Sequence, residues 1–156
     1  MRYYVCCSPN GYVNIRSGPG TGYSSIGRAY RAEAVDVVSS GDPSWWSGDF
    51  EYGPDGYISK DYVKQNRPML VGDMFGPDTL RGGSRGVYVE HLQRCLISGG
   101  YLGGTIDGIF GTNTENAVRQ YQDDKGLESD GKVGARTKQE LYLDFYQIFD
   151  ADLPPT

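Results

Sequence analysis

The chain of 156 residues lacks the features that mark several large classes of protein. It has no apolar run near the roughly 18 residues of a membrane-spanning helix. Its first residues, MRYYVCCSPNGYVN, do not contain the apolar core of a signal peptide. Lysine and arginine total 15 against 20 aspartate and glutamate residues, which gives a formal net charge of −5. This balance does not provide a broad basic surface, so we expect no nucleic acid as a partner. Because a long apolar run is also missing, we expect no membrane as a partner.

Cysteine and histidine are scarce as well: the chain has Cys6, Cys7, Cys95 and a single histidine, His91. An odd cysteine count with an adjacent pair does not predict a disulfide framework. One histidine without a CxxC motif gives too few ligands for a structural zinc site, so we expect no metal and no other cofactor. A cysteine peptidase using one of these thiols with His91 is a remote alternative, because Cys95 shares an apolar helical seam where cysteine is usually inert.

The pattern of apolar and turn-forming residues changes near the middle of the chain. Residues 1–64 carry short runs of β-forming residues, such as 13–15 and 34–38, separated by turn signals rich in Gly, Pro, Asn and Ser. Short strands at this spacing predict a small closed barrel, which hides sheet edges. Residues 65–77 show no clear period and are predicted to be a linker.

Residues 78–156 predict helices. Apolar residues recur at helical spacing in 87–98, 113–125 and 136–149. The run from Asp107 repeats from Asp130 at an offset of 23 residues, and each copy predicts an Asp-Gly turn that leads into a helix. Because the two aspartates share one setting, they are expected to serve as turn residues and not as a catalytic pair of unlike carboxylates.

Two resemblances follow from particular motifs. The string Val13–Gly20, with a later Gly-Tyr-Ile-Ser at 56–59, resembles the bacterial SH3-like domain of cell-wall proteins. The repeat with its flanking glycines, over residues 80–141, resembles the three-helix peptidoglycan-binding domain. Together the resemblances imply a multi-domain chain, with an all-β SH3-like barrel (1–64), a linker (65–77) and an all-α three-helix domain with a helical extension (78–156).

The resemblances also imply ligand contacts. Peptidoglycan is the expected partner, through its stem peptide, cross-bridge or glycan. An aromatic groove with an amide and a guanidinium suits a thin peptide with a carboxylate, although core packing and loop fixing explain many of the same residues. The candidate ligand-binding residues are Asn14, Arg16, Tyr23, Trp45, Trp46, Tyr57 and Tyr62 in the first half, and Tyr101, Asp107, Arg119 and Gln122 in the second.

The sequence therefore predicts a non-catalytic cell-wall recognition protein built from two small modules. The alternative is a structural adaptor of a phage tail, a phage-like injection device or a lysin complex, with a lytic enzyme or a phage-tail protein as its partner. The expected location is the cell wall or the extracellular space if the chain is exported or trimmed. Without export, we expect cytoplasmic synthesis followed by release through lysis or a phage.

Overall fold

A computed structural model describes residues 1–153, so the last three residues of the predicted second domain lie outside the described residues. The described chain divides into two compact units. The sheet unit comprises Met1–Leu70 and the described residues from Ile148 onward, and the helical unit comprises Val71–Gln147. The strands are β1 Arg2–Val5, β2 Tyr12–Arg16, β3 Ser25–Tyr30, β4 Ala34–Ser39, β5 Trp45–Phe50, β6 Gly56–Ser59 and β7 Val63–Lys64; the α-helices are α1 Val71–Phe75, α2 Val87–Ser98, α3 Thr112–Asp124 and α4 Ala135–Asp150.

The seven strands form one antiparallel sheet in the order β3-β2-β6-β5-β4-β1-β7. The sheet is open, with β3 and β7 at its ends, so the expectation of a closed SH3-like barrel is wrong. Two features of the edge strands β3 and β7 disfavour pairing with a further strand. Strand β7 has only two residues, and the β2–β3 pairing shifts register between Ile15 and Arg16. Short edge strands and bulges make an edge a poor template for further pairing, so closure is not required.

Alternation along the strands builds the core of the sheet unit. Val13 and Ile15 of β2, and Val35 and Val37 of β4, point inward and are less than one-tenth exposed. Phe50 joins them from β5, opposite Val35 in the sheet register. Side chains at the intervening positions of β2 therefore lie on the outer face, where they can meet a ligand.

A buried ion pair within the sheet unit joins the end of α4 to the turn between β3 and β4. The Arg31 guanidinium contacts the Asp150 carboxylate at 2.7 Å, with 3% of the arginine side chain exposed. Arg31 also donates to the backbone oxygens of Cys7 and Met69. The Cys6 thiol donates to the same carboxylate at 3.7 Å. These bonds satisfy a charge that would otherwise be costly to bury.

The helical unit follows the predicted periodicity closely. Helix α2 spans the predicted residues, and α3 and α4 begin and end within one residue of prediction. Its core is a stripe from three helices, made of Val89, Leu92, Leu96, Val118, Tyr121 and Leu141. The predicted linker 65–77 contains α1, whose Met74 and Phe75 are fully buried, so the boundary between the units falls after Leu70.

Candidate functional site

A groove of about 340 Å³ lies on the outer face of the sheet unit. It gathers four of the residues predicted from the sequence, Asn14, Arg16, Trp45 and Tyr62, from three separate stretches of chain. The remaining lining residues are Tyr12, Val13, Thr21, Ser59 and Asp61. The groove therefore combines aromatic walls with one basic and one acidic side chain.

Strand β2 positions the polar groups of this groove. Alternation places Tyr12, Asn14 and Arg16 on its outer face. The Arg16 guanidinium donates to the backbone oxygen of Tyr23 at 2.9 Å, and the Asn14 carboxamide oxygen accepts from the Ser25 hydroxyl at 3.0 Å. Within the described chain, the amide N–H groups of Asn14 and the other N–H groups of Arg16 make no hydrogen bond, so both residues keep donors for a ligand.

The aromatic walls come from β5 and from the turn after β6. Trp45 pairs with Ser59 across the β5–β6 ladder and is half-buried. A single 3₁₀ turn, Lys60–Tyr62, is capped by the Ser59 hydroxyl, which accepts from the Asp61 backbone N–H. This turn leaves Tyr62 46% exposed beside the groove. Large, rigid aromatic surface with polar tips suits a ligand that is partly apolar and partly hydrogen-bonding.

Three predicted residues of the first half lie outside the groove lining. Trp46 packs against the core, with its ring 5.6 Å from Tyr3 and the Lys60 ammonium 4.0 Å from its centre. Its indole N–H is buried without a partner in the described chain. Tyr57 is half-buried in β6, opposite Arg16. Tyr23 covers Gly18 so closely that a side chain there would strike its ring.

Sequence reasoning missed five lining residues of the groove. Tyr12 could have been found, because it shares the period-two face of β2 with Asn14 and Arg16. Thr21, Ser59 and Asp61 could not, because their approach to β2 depends on how the loop and turn fold back on the sheet.

The helical unit holds a buried amide network around the first Asp-Gly turn. The Gln93 carboxamide oxygen accepts from the backbone N–H groups of Asp107 and Gly108 at 3.1 and 2.9 Å. Its nitrogen donates to the Asp107 carboxylate, to the backbone oxygen of Ile109 and to the Thr114 hydroxyl. Gly108 has a φ of 71°, a conformation that other residues rarely adopt, so the turn requires glycine.

The second Asp-Gly turn repeats this network with Gln122. The Gln122 oxygen accepts from the Gly131 N–H at 3.0 Å, and its nitrogen donates to Asp130, the Lys132 backbone oxygen and Thr137. Only 1% of Gln122 is exposed. The repeat seen in the sequence is thus a structural repeat. Gln122, which was predicted as a ligand contact, instead uses its amide for hydrogen bonds inside the domain.

Hydrogen bonds also fix the charge of both turn aspartates. Bonds from Gln93 and from the Ile109 N–H hold the pKa of Asp107 below its ordinary value. Bonds from the Lys132 N–H and from Gln122 do the same for Asp130. Both carboxylates are therefore ionised near neutral pH, in matching surroundings, as expected for turn residues.

The two other predicted residues of the helical unit differ in setting. Arg119 is exposed, donates to the Ser129 backbone oxygen at 3.0 Å and lies 3.7 Å from the Glu115 carboxylate. Tyr101 is half-buried, with its ring edge-on to Tyr121 at 5.4 Å between centres. Tyr101 lines a second, smaller cleft.

The three thiols all have raised pKa values, and His91 contacts a backbone oxygen. Cys95 is fully buried, and this burial raises the pKa of its thiol to about 12. Burial likewise raises the pKa of Cys6 to about 11 and the pKa of Cys7. His91 Nδ1 lies 2.7 Å from the backbone oxygen of Met74. In residues 1–153, His, Cys, Asp and Glu side chains do not form a group of three able to hold a metal ion.

Comparison with known proteins assigns the helical unit. Residues 85–141 match the family model of the putative peptidoglycan binding domain. The chain contains a helical peptidoglycan-binding domain. The match covers α2, α3 and the first part of α4, with both Asp-Gly turns, and confirms the predicted helical peptidoglycan-binding domain. None of the helices that the structure describes combines the length and hydropathy needed to cross a membrane.

In two curated relatives, the region similar to this chain is a minor part of a larger protein. A spore cortex-lytic enzyme of Bacillus subtilis (strain 168) is 47% identical over 68 residues, which are 43% of this chain and 22% of the enzyme. The N-acetylmuramoyl-L-alanine amidase CwlM of Mycobacterium tuberculosis is 34% identical over 99 residues, 51% of this chain and 24% of the amidase. The crystal structure of the SleB N-terminal domain is 40% identical, covers 43% of this chain and 92% of that one, and has a TM-score of 0.42. The chain spans less than a quarter of the length of these two enzymes.

Proposed function

We propose that this chain is a non-catalytic peptidoglycan-binding protein with two recognition surfaces. The observation that carries the proposal is the match of residues 85–141 to the peptidoglycan-binding family. Relatives named for cell-wall lysis share this region, which supports the same polymer as the ligand here. The second surface is the groove of the sheet unit.

The chemistry of the groove suits a peptide of the wall. Arg16 retains N–H donors for a carboxylate, and a charge-assisted bond of this kind is about twice as strong as a neutral one. The Asn14 amide can donate to a peptide oxygen, and Trp45 and Tyr62 supply apolar contact on either side. Stem peptides carry free carboxylates and little bulk, so we assign the groove to the stem peptide or cross-bridge.

The ionisation of the thiols supports binding without cleavage. A thiolate is the nucleophile in cysteine peptidases, and low pKa values accompany reactivity. All three thiols here have raised pKa values, and Cys95 is buried in the helical core. The lytic activities in the names of the relatives belong to proteins of which this chain covers a minor part.

Sedimentation of the full chain with purified sacculi tests the binding. We expect the chain to pellet with sacculi, and Arg16→Ala and Tyr62→Ala to weaken retention by about three- to tenfold each, the loss of one good contact. Arg2→Ala is the matched control, since Arg2 is an exposed arginine of the same sheet that lies outside the groove. A chain that stays in the supernatant refutes wall binding, and groove variants that pellet like Arg2→Ala refute the groove.

Mass spectrometry of the soluble fraction tests the absence of cleavage. After incubation with sacculi we expect no soluble muropeptides above a heat-inactivated control. Release that disappears in Cys95→Ser would show a cysteine-dependent hydrolase. Release that persists in Cys95→Ser would show another catalytic group; either result overturns the non-catalytic assignment.

A further inference from the structure

The helical unit carries a cleft of about 260 Å³, and Tyr101 is the one lining residue that the sequence analysis had named as a ligand contact. Tyr101, Leu102 and Gly103 form one side, and the outer face of α3 forms the other. Its lining contains no charged side chain, in a chain where 35 of 156 residues are Lys, Arg, Asp or Glu. The volume is below the roughly 300–1,000 Å³ of sites that enclose a drug-sized ligand. The cleft therefore suits one unit of a longer, neutral polymer.

Three carboxamides line the α3 side of the cleft. Asn113, Asn116 and Gln120 are spaced three and then four residues apart, so they share one face of the helix. All three are exposed, and in residues 1–153 their amides form no hydrogen bond. Each offers two donors and one acceptor group. Gln122, on the same helix, has its amide fully used inside the domain, so the unused capacity belongs to the cleft face.

Tyr101 gives the opposite side a fixed aromatic wall. Its ring meets the buried Tyr121 edge-on at 5.4 Å. Burial and a hydrogen bond to Asp124 raise the pKa of Tyr101, so the phenol stays neutral and its hydroxyl is already engaged. The ring is thus held in place and presents neutral aromatic surface to the cleft.

We propose that this cleft binds the N-acetylated glycan strand of peptidoglycan, while the peptide binds elsewhere. The inference rests on the proposed function and deepens it. Sugar rings carry hydroxyl and acetamido groups that both donate and accept, matching a row of carboxamides, and their C–H faces pack on aromatic rings. A stem peptide with free carboxylates finds no counter-charge in this cleft, whereas the sheet-unit groove holds Arg16.

Titration of the full chain with defined sugars tests the assignment. The probe is the β-1,4-linked hexamer of N-acetylglucosamine, and the comparison ligand is its deacetylated, cationic counterpart. The net charge of −5 favours the cationic hexamer by simple attraction, so a preference for the acetylated hexamer reports recognition of the acetamido groups. We expect calorimetry to show this preference, and amide NMR shifts to cluster on α3 and around Tyr101.

Substitution of the cleft carboxamides is the second test of this assignment. Asn116→Ala and Gln120→Ala should each weaken binding of the acetylated hexamer by about three- to tenfold. Gln139→Ala, which removes an exposed glutamine of α4 outside the cleft, should leave it unchanged. Tyr101→Phe, which keeps the ring and loses the bond to Asp124, should bind within about twofold of the parent chain.

The outcomes separate this inference from the proposed function. A chain that pellets with sacculi but does not bind the hexamer, or whose Asn116 and Gln120 variants bind it like Gln139→Ala, overturns the glycan cleft and leaves wall binding intact. A chain that binds the hexamer with the expected variant pattern but does not pellet shows a sugar-binding cleft, but it overturns wall binding and with it the assignment of the cleft to the peptidoglycan strand. Stronger binding of the deacetylated hexamer at 0.15 M salt also overturns the cleft.

Discussion

The duplicated amide networks allow a prediction about stability that depends on hydrogen bonds alone. Gln93→Leu and Gln122→Leu nearly preserve side-chain volume, so neither leaves a large cavity. Each removes a carboxamide that accepts a backbone N–H in an Asp-Gly turn, from Gly108 in one copy and Gly131 in the other. Both glycines are buried, so water cannot replace the lost acceptor without opening the turn.

The magnitude follows from the bonds that each glutamine makes. An orphaned buried N–H costs about 1–3 kcal/mol, and each further lost bond about 1 kcal/mol. The exposed Asp107 and Asp130 carboxylates can form hydrogen bonds with water instead, so losing their bonds to glutamine contributes little to the change in the free energy of unfolding. We expect each variant to lower the free energy of unfolding by about 2–4 kcal/mol. Gln93→Leu should be the more damaging by about 1 kcal/mol, because Gln93 accepts two backbone N–H groups and Gln122 one.

Urea unfolding followed by circular dichroism at 222 nm measures this loss, since the signal arises mainly from α2–α4. Fluorescence of Trp45 and Trp46, both in β5, shows whether the sheet unit is folded in each variant. Gln139→Leu is the matched control and should stay within about 0.5 kcal/mol of the parent chain. The reasoning fails if Gln93→Leu or Gln122→Leu unfolds at the same urea concentration as the control, or if Gln122→Leu is clearly the more damaging of the two.

Three further predictions concern other contacts. Leu92→Ala, in the fully buried helical stripe, should lower the free energy of unfolding by about 2–5 kcal/mol; an unchanged urea midpoint at 222 nm contradicts this. Asp150→Ala removes a carboxylate that pairs with the buried Arg31 guanidinium and should lower the free energy of unfolding by about 3–5 kcal/mol; unchanged tryptophan-detected unfolding contradicts it. The depressed pKa values of Asp107 and Asp130 add stability that is complete above the ordinary aspartate pKa near 3.9 and is lost as pH falls through the depressed values. The variant with both Asp107→Asn and Asp130→Asn should therefore show a smaller fall in urea midpoint below about pH 4 than the parent chain. If its urea midpoint falls as steeply with pH as that of the parent chain, this assignment is wrong.

Local patterns in the sequence were enough to place the three long helices α2, α3 and α4, whereas the short α1 lies in the segment predicted to be a linker. The apolar spacing in 87–98 matches α2, and the 23-residue repeat marks two turns of the same construction. Both signals are short-range: the helix pattern needs only its own residues, and each aspartate accepts from the N–H two positions later. Their buried partners, Gln93 and Gln122, were harder to recognise. A glutamine in a helical pattern is normally expected to face solvent, and these two are buried only because an Asp-Gly turn packs over each of them in the folded chain.

Long-range relations account for what sequence reasoning got wrong or missed. Whether short strands close into a barrel depends on whether the end strands meet, and the pattern within β3 or β7 does not encode this. The Arg31–Asp150 pair joins residues 119 positions apart. The last part of the predicted domain 78–156 was expected to be a helical extension, and Asp150 within it groups with the sheet unit. No periodicity in either segment indicates that contact.

Helix α3 shows how one element can carry both stability and recognition. Gln120 and Gln122 are two positions apart, about 200° around the helix, and so lie on nearly opposite faces. The buried one binds a turn of its own domain, whereas the exposed one faces the cleft with its amide unused. Two glutamines with the same side chain therefore have different roles because they lie on different faces of the helix. These roles, in sugar binding and in stability, can be separated experimentally. A change at Gln122 should alter unfolding first and sugar binding only through the turn, whereas a change at Gln120 should alter sugar binding without shifting the urea midpoint.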